Sequence, residues 1–265
     1  MEDKALHLNC HSYYSLRYGT MSVEQLVGKA AENGIESMAL TDINNSTAIP
    51  EFVRECIENN IRPLAGIEFR RNNELLYTGI ARNNRGMKEL NEFLSKHNLE
   101  GTPLPFPAPR VSDAYIIYSM KKSPGRKLFE NERTGIRKNE AGRLVNMSSK
   151  EKSSMIIMQP VTFSVPADFF IHKSLRAIDN NILLSHLKPS QYAGENEFFH
   201  SPVHLKHCFT SYPGIIDNTE KLIRDCSISF DFVNPKNKKI FSASRYDDKL
   251  LLEKLAWDGM LYRYG

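Results

Sequence analysis

What this sequence lacks narrows its chemistry before anything it contains. No apolar run approaches the roughly 18 residues that a membrane-spanning helix needs. The start, Met1-Glu2-Asp3-Lys4, shows no basic stretch followed by an apolar core, which argues against a secretory leader. There are four cysteines (Cys10, Cys56, Cys208, Cys226), no Cys-x-x-Cys pair and no zinc-type spacing. They read as free thiols of a reducing, cytoplasmic compartment. A phosphate-cradling Gly-x-x-x-x-Gly-Lys-Ser/Thr loop, a Gly-x-Ser-x-Gly elbow and a dinucleotide fingerprint are all missing. A large charge imbalance is missing too: 35 Lys and Arg against 31 Asp and Glu leave +4, too little to imply nucleic-acid binding. What is present, 41 % hydrophobic and 25 % charged residues over 265 positions, excludes disorder along the whole chain and allows one large α/β domain or two small ones.

The first hundred residues alternate strand and helix patterns. Leu6–Cys10 reads as a strand. Ser22–Asn33 reads as a helix, with Val23, Leu26, Val27 and Ala30 on one face, Ser22 and Gln25 at capping-box spacing and Gly34 at the left-handed stop. Ser37–Asp42 is a second strand; Ser46 or Thr47 opens a helix to Asn59, and Asn60 can stop it. Pro63–Phe69 is a third strand. The plan repeats at about 26 residues, which suggests parallel βα units. Leu75–Ala81, Ala114–Tyr118 and Met155–Met158 are further strands, Arg85–Lys96 a further helix, and the proline-rich stretch 101–110 a connector. The polar segment 121–152 reads as an insertion with little core, a solvated loop in preference to a nucleic-acid contact. Helices follow over 167–186, 201–210, 213–226 and 247–263. His200, His204 and His207 share helical spacing and read as a solvated face in preference to a metal site.

In α/β folds chemistry collects at the C-terminal ends of strands. His11, Asp42 and Glu68 stand at three successive ends. Imidazole and carboxylates suit divalent cations, but spacing alone favours three polar strand-end residues bonded to loop backbone.

The ordered motifs add a resemblance. The run Leu6-His7-Leu8-Asn9-Cys10-His11-Ser12-Tyr13-Tyr14-Ser15 resembles the opening motif of the polymerase and histidinol phosphatase (PHP) domain, in the form found at the N-terminus of bacterial DNA polymerase III alpha subunits. Ala39-Leu40-Thr41-Asp42-Ile43-Asn44-Asn45, Pro63-Leu64-Ala65-Gly66-Ile67-Glu68 and Gly79-Ile80-Ala81-Arg82-Asn83 resemble its next motifs in order, and Ile216–Leu222, Phe230-Asp231-Phe232 and Leu255–Gly265 resemble segments leading toward the polymerase palm. The resemblance implies an α/β fold, a distorted (βα)7-type PHP barrel over residues 1–187 with the insertion at 121–152, and a helical C-terminal extension over 188–265. It implies a three-metal site, and here most of its ligand positions hold other residues. Of the expected set His11, Asp42 and Glu68 remain, while Asn9, Ile43, Leu76, Pro160 and Thr162 occupy former ligand positions. Proline, isoleucine and leucine cannot ligate, and threonine and asparagine are poor replacements. The expectation is therefore a degenerate metal site with no cofactor and a structural role in DNA replication. The implied partners are the rest of the alpha subunit and the proofreading exonuclease subunit, with DNA contacted weakly or indirectly and no membrane. The alternative is a metal-dependent phosphoesterase, of pyrophosphatase or 3′–5′ exonuclease type, using zinc, manganese or magnesium at the residual site.

Overall fold

The computed structural model describes residues 6–234 and 240–265; Met1–Lys4, on which the reading about a leader rests, lie outside them. In chain order the elements are β1 (His7–Cys10), α1 (Val23–Glu32), β2 (Ser37–Leu40), α2 (Ile49–Glu58), β3 (Arg62–Arg71), β4 (Glu74–Ala81), α3 (Asn84–Glu100), β5 (Ala114–Ser119), β6 (Glu132–Ile136), α4 (Ser149–Lys152), β7 (Met155–Ile157), β8 (Pro160–Val161), α5 (Phe169–Asp179), α6 (Pro202–Cys208), α7 (Pro213–Asp225) and α8 (Arg245–Tyr264).

The capping box at Ser22 and Gln25 starts α1, and its apolar stripe is buried as the 3.6-residue period requires. Asn60 and Gly34 both take the left-handed conformation after their helices. β1, β2 and β3 are parallel neighbours joined by α1 and α2. β3, β4 and β5 then run antiparallel. The complete order is β7-β6-β5-β4-β3-β2-β1-β8, a mixed sheet curled into a half-barrel. Its inner core includes Leu8, Ala39, Leu64, Ile80, Ile117 and Ile156. The free edge of β7 is covered by α7: Thr219 Oγ1 accepts the Ile157 amide at 2.8 Å, and Asn218 donates to the Met155 carbonyl, so the edge offers little to pair with.

Three expectations change. Segment 121–152 is no loop with little core: it supplies β6 between β5 and β7 and buries Ile136 and Leu144. Its strand was hidden by the polar run Glu132-Arg133-Thr134. The Glu132 carboxylate is buried because Arg126 grips both its oxygens, at 2.6 and 2.7 Å, and the Phe129 amide and Tyr118 hydroxyl donate to it. The chain divides into compact units at Ser229 and Phe230, well past residue 187, because α6 and α7 pack on the sheet with Leu205, Phe209 and Ile215 in a second core. Finally, His200 is buried and precedes α6, which begins at Pro202 with Ser201 as its cap, so it belongs to no solvated helix face. In the second unit, α8 buries none of its residues.

Candidate functional site

The C-terminal ends of β1, β2, β3, β6 and β8 converge on one mouth. Asn9 and His11 come from β1 and the residue just past it, Asp42 from the end of β2, and Glu68 and Arg70 from β3. Thr162 follows β8 and Arg137 follows β6. Glu197 arrives from the loop before α6. A cavity of about 210 Å³ opens beside them, lined among others by Asn9, Thr78, Arg137, Glu140 and Pro160.

Glu68 is the centre of the site. Its Oε1 accepts from Arg70 Nε at 2.6 Å and its Oε2 from Asn9 Nδ2 at 2.9 Å. Asn9 is fixed in turn by Thr41, whose hydroxyl donates to its carbonyl at 2.7 Å. Asn44 exchanges two hydrogen bonds with the Arg70 backbone, at 2.8 and 2.9 Å, and so holds the strand that presents this arginine. The guanidinium also lies over the Tyr18 ring, 4.4 Å from its centroid, and donates to the Tyr18 hydroxyl. Burial would raise the Glu68 pKa, but Arg70 and then His11 outweigh it and hold the carboxyl well below the usual range. Arg70 is held above its ordinary value, its burial outweighed by Glu68 and Tyr18.

A second carboxylate mirrors the first. Glu197 Oε2 accepts from the Thr162 hydroxyl at 2.9 Å, and Oε1 from Arg137 at 2.8 Å and the Gly194 amide at 3.1 Å. Burial opposes its ionisation, yet Arg137, the Gly194 amide and His11 together lower its pKa. Because the single Thr162 hydroxyl proton goes to Glu197, the 3.0 Å contact from His11 Nδ1 to Thr162 Oγ1 makes the imidazole the donor. His11 Nε2 stands 3.3 Å from Glu68 Oε2, too slanted for a hydrogen bond, and the contact is electrostatic.

Asp42 is held apart from these two. Its oxygens accept from the Ser12 amide (2.7 Å), the Ser12 hydroxyl (2.7 Å) and the Ser15 hydroxyl (2.6 Å). The tight loop that delivers those donors needs Gly19, where a Cβ would fall 1.9 Å from the Ser12 carbonyl oxygen. Burial raises the Asp42 pKa despite the serines.

The other sequence-predicted positions fall as follows. Ile43 packs with Tyr18, Phe163 and Ala193 in a small apolar cluster. Leu76 is fully buried, while its neighbours Leu75 and Thr78 line the cavity. Pro160 pairs in register with Asn9, which puts Thr162 beside His11. Arg70 could have been found from sequence, since residues two apart on a strand share a face. Arg137 and Glu197 carried no such signal.

The donor set does not fit a metal cluster. Two buried carboxylates, Glu68 and Glu197, are each matched by a guanidinium, and a cation entering here would displace an arginine or meet its charge. Among the described residues no group of three His, Cys, Asp or Glu side chains is placed to hold a metal ion.

A curled α/β half-barrel with its polar residues gathered at the strand ends defines the class of protein. Residues 7–131 match the family model of the PHP domain. It is similar to the DNA polymerase III alpha subunit of Halalkalibacterium halodurans, with 22 % identity over 99 % of this chain and 26 % of that protein. It is also similar to that of Staphylococcus aureus, with 32 % identity over 34 % of this chain and 9 % of that protein. The chain thus spans about a quarter or less of the length of these relatives. Among solved structures it partly resembles a Bifidobacterium adolescentis protein described as a candidate metal-dependent phosphoesterase, with TM-score 0.30, 16 % identity, 36 % of this chain and 34 % of that one. An amidohydrolase from Chromobacterium violaceum matches with TM-score 0.29, 20 % identity and the same shares.

Proposed function

We propose that this chain serves as the PHP domain of a replicative DNA polymerase alpha subunit, and that its own part is structural. One observation carries the reading: two of the buried carboxylates of the mouth are already neutralised by arginines, Glu68 by Arg70 and Glu197 by Arg137. A hydrolytic centre needs carboxylates and imidazoles free to bind metal and activate water. Here the Glu68, Glu197 and Asp42 carboxylates are each committed to a neighbour, and the network joins β1, β3, β6, β8 and the loop before α6 into one body. Template-directed nucleotidyl transfer would belong to a palm domain elsewhere in the subunit, with residues 188–265 leading toward it. The barrel would dock on that body and present a surface to the proofreading exonuclease subunit. His11, Asp42 and Glu68 are, on this reading, the remnant of a metal site that no longer loads, and the cytoplasm is the setting.

The test is elemental analysis of the purified chain after incubation with manganese or zinc, paired with an assay on a simple phosphoester. Less than one metal per chain, and turnover equal to a His11→Ala/Asp42→Ala control, is the expected result. Two or three metals per chain, or turnover above that control, would instead establish the phosphoesterase.

A further inference from the structure

Residues 193–200 form a strap that runs beside the residues following β8 and reaches those following β6, and they are what brings Glu197 into the buried network. In the middle the Thr162 and Phe163 amides both donate to the Glu197 carbonyl, at 2.7 and 3.2 Å, and Phe163 bridges Phe198. An imidazole lone pair takes part in the fastening at each end.

At the first end the Ala193 amide donates to His172 Nε2 at 2.8 Å, while His172 Nδ1 donates to the Tyr18 carbonyl at 2.7 Å. Both nitrogens are committed, and the ring holds the strap only when Nε2 is unprotonated. At the other end His200 Nε2 donates to the Asn196 carbonyl at 3.0 Å, which leaves Nδ1 to accept from the Lys138 ammonium at 3.4 Å. The same ammonium reaches His204 Nε2 at 3.4 Å. A ring of bonds closes through Gln159, which accepts from the Lys138 amide and donates to the Asn196 carbonyl. A proton on Nε2 of His172 would set two donors against each other. A proton on Nδ1 of His200 would place two cations 3.4 Å apart.

We propose that residues 193–200 form a proton-released strap at the rim of the barrel mouth, fastened by neutral His172 and His200 and freed when both are protonated. The surroundings agree. Facing His172 are Arg176 of its own helix, Glu197 of the strap and His11; burial dominates, and its pKa is lowered to about 4. Facing His200 are Lys138, His204 and His7, with Cys208 beyond His204. Burial first, then Lys138 and His204, keep His200 below its ordinary value, although the Asn196 bond opposes them. No hydrogen bond or ion pair joins His200 or His204 to a carboxylate among the described residues. The sign follows: a histidine whose pKa is depressed in the closed form holds the strap above about pH 6.5, its unperturbed pKa, and loosens it as pH falls below that value.

Hydrogen exchange read by mass spectrometry tests this on the whole chain. Protection of peptides covering 193–200, corrected for the intrinsic exchange rate, is expected to fall about tenfold or more between pH 7 and 5.5. Peptides of β2 and β3 should stay protected over the same range. Lys138→Met and His172→Gln should each flatten the slope. Because Lys138 is only half-buried, its variant reports even if the His172 variant fails to fold. Strap protection independent of pH would overturn the proposal. So would strap and β3 losing protection together, or both variants keeping the wild-type slope.

Discussion

Asp42 and Glu68 stand at the ends of adjacent strands, equally buried, and are treated in opposite ways. Asp42 is surrounded by neutral donors, two serine hydroxyls and an amide, and burial wins: its proton is held more tightly than in water. Glu68 meets a guanidinium at 2.6 Å and an imidazole at 3.3 Å, and charge wins. Neutral donors satisfy a carboxylate's lone pairs without supplying compensating charge, whereas an arginine supplies both. The site has thus been divided into a locally satisfied acid and an acid whose partner is a charge, and each should respond differently when its partner is removed.

The largest effect is expected at Arg70. Arg70→Met leaves Glu68 as a buried charge with only Asn9 and His11 beside it, and breaking such a pair from one side costs about 3–5 kcal/mol. Urea unfolding at neutral pH measures it. Adding Glu68→Gln to Arg70→Met should recover much of the loss, since the residual cost is mainly the uncompensated charge. If the single variant unfolds at the wild-type midpoint, Glu68 draws its stability from elsewhere and the contrast with Asp42 collapses.

The second pair sharpens the same contrast at lower stakes. The Arg137 side chain is 35 % exposed, against 11 % for Arg70. Water can partly replace it, and Glu197 keeps the Thr162 hydroxyl and the Gly194 amide. Arg137→Met should therefore cost about 1–3 kcal/mol, the range for an unmade hydrogen bond to a buried group. A loss equal to that at Arg70 would show that exposure does not set the order.

The unequal legibility of these residues has a physical basis. The β1–β3 region could be read because local rules govern it: a helical stripe at Val23, Leu26, Val27 and Ala30, caps at Ser22 and Asn60, and strands ending in polar residues. Those rules also located His11, Asp42 and Glu68. Strand β6 escaped because its buried acid, Glu132, is tolerable only through Arg126, six residues upstream, and propensity carries no record of such pairing. Glu197 escaped for a stronger reason. It lies 35 residues from Thr162 and 60 from Arg137 in a stretch without periodicity, and only the folded chain brings them together. Arg70 was within reach of the period-two rule. The resemblance pointed to missing ligands; what replaced their charge had to come from the structure.

The smallest effect, and the one that isolates the difference in charge, is the pH response. A carboxyl with a depressed folded pKa contributes stability above its unfolded value, and that contribution is lost as pH falls through the folded value. A carboxyl with a raised folded pKa does the reverse: the folded state holds its proton longer, so stability declines as pH rises from the unfolded value toward the folded one. Glu68 is of the first kind and Asp42 of the second. Stability of the wild type against pH, from about 3.5 to 7, is a sum of these opposing slopes with those of other groups. In Asp42→Asn the decline with rising pH is removed, so the variant should gain relative to wild type as pH increases, on top of a cost of about 1–2 kcal/mol for the altered bonds to Ser12 and Ser15. In Glu68→Gln the acid-side loss should shrink, so the variant should gain relative to wild type as pH decreases. The two difference curves should slope in opposite directions. If they run parallel, the two acids are ionised alike, and the Ser12 and Ser15 hydroxyls are stabilising a charge at Asp42 as effectively as Arg70 does at Glu68.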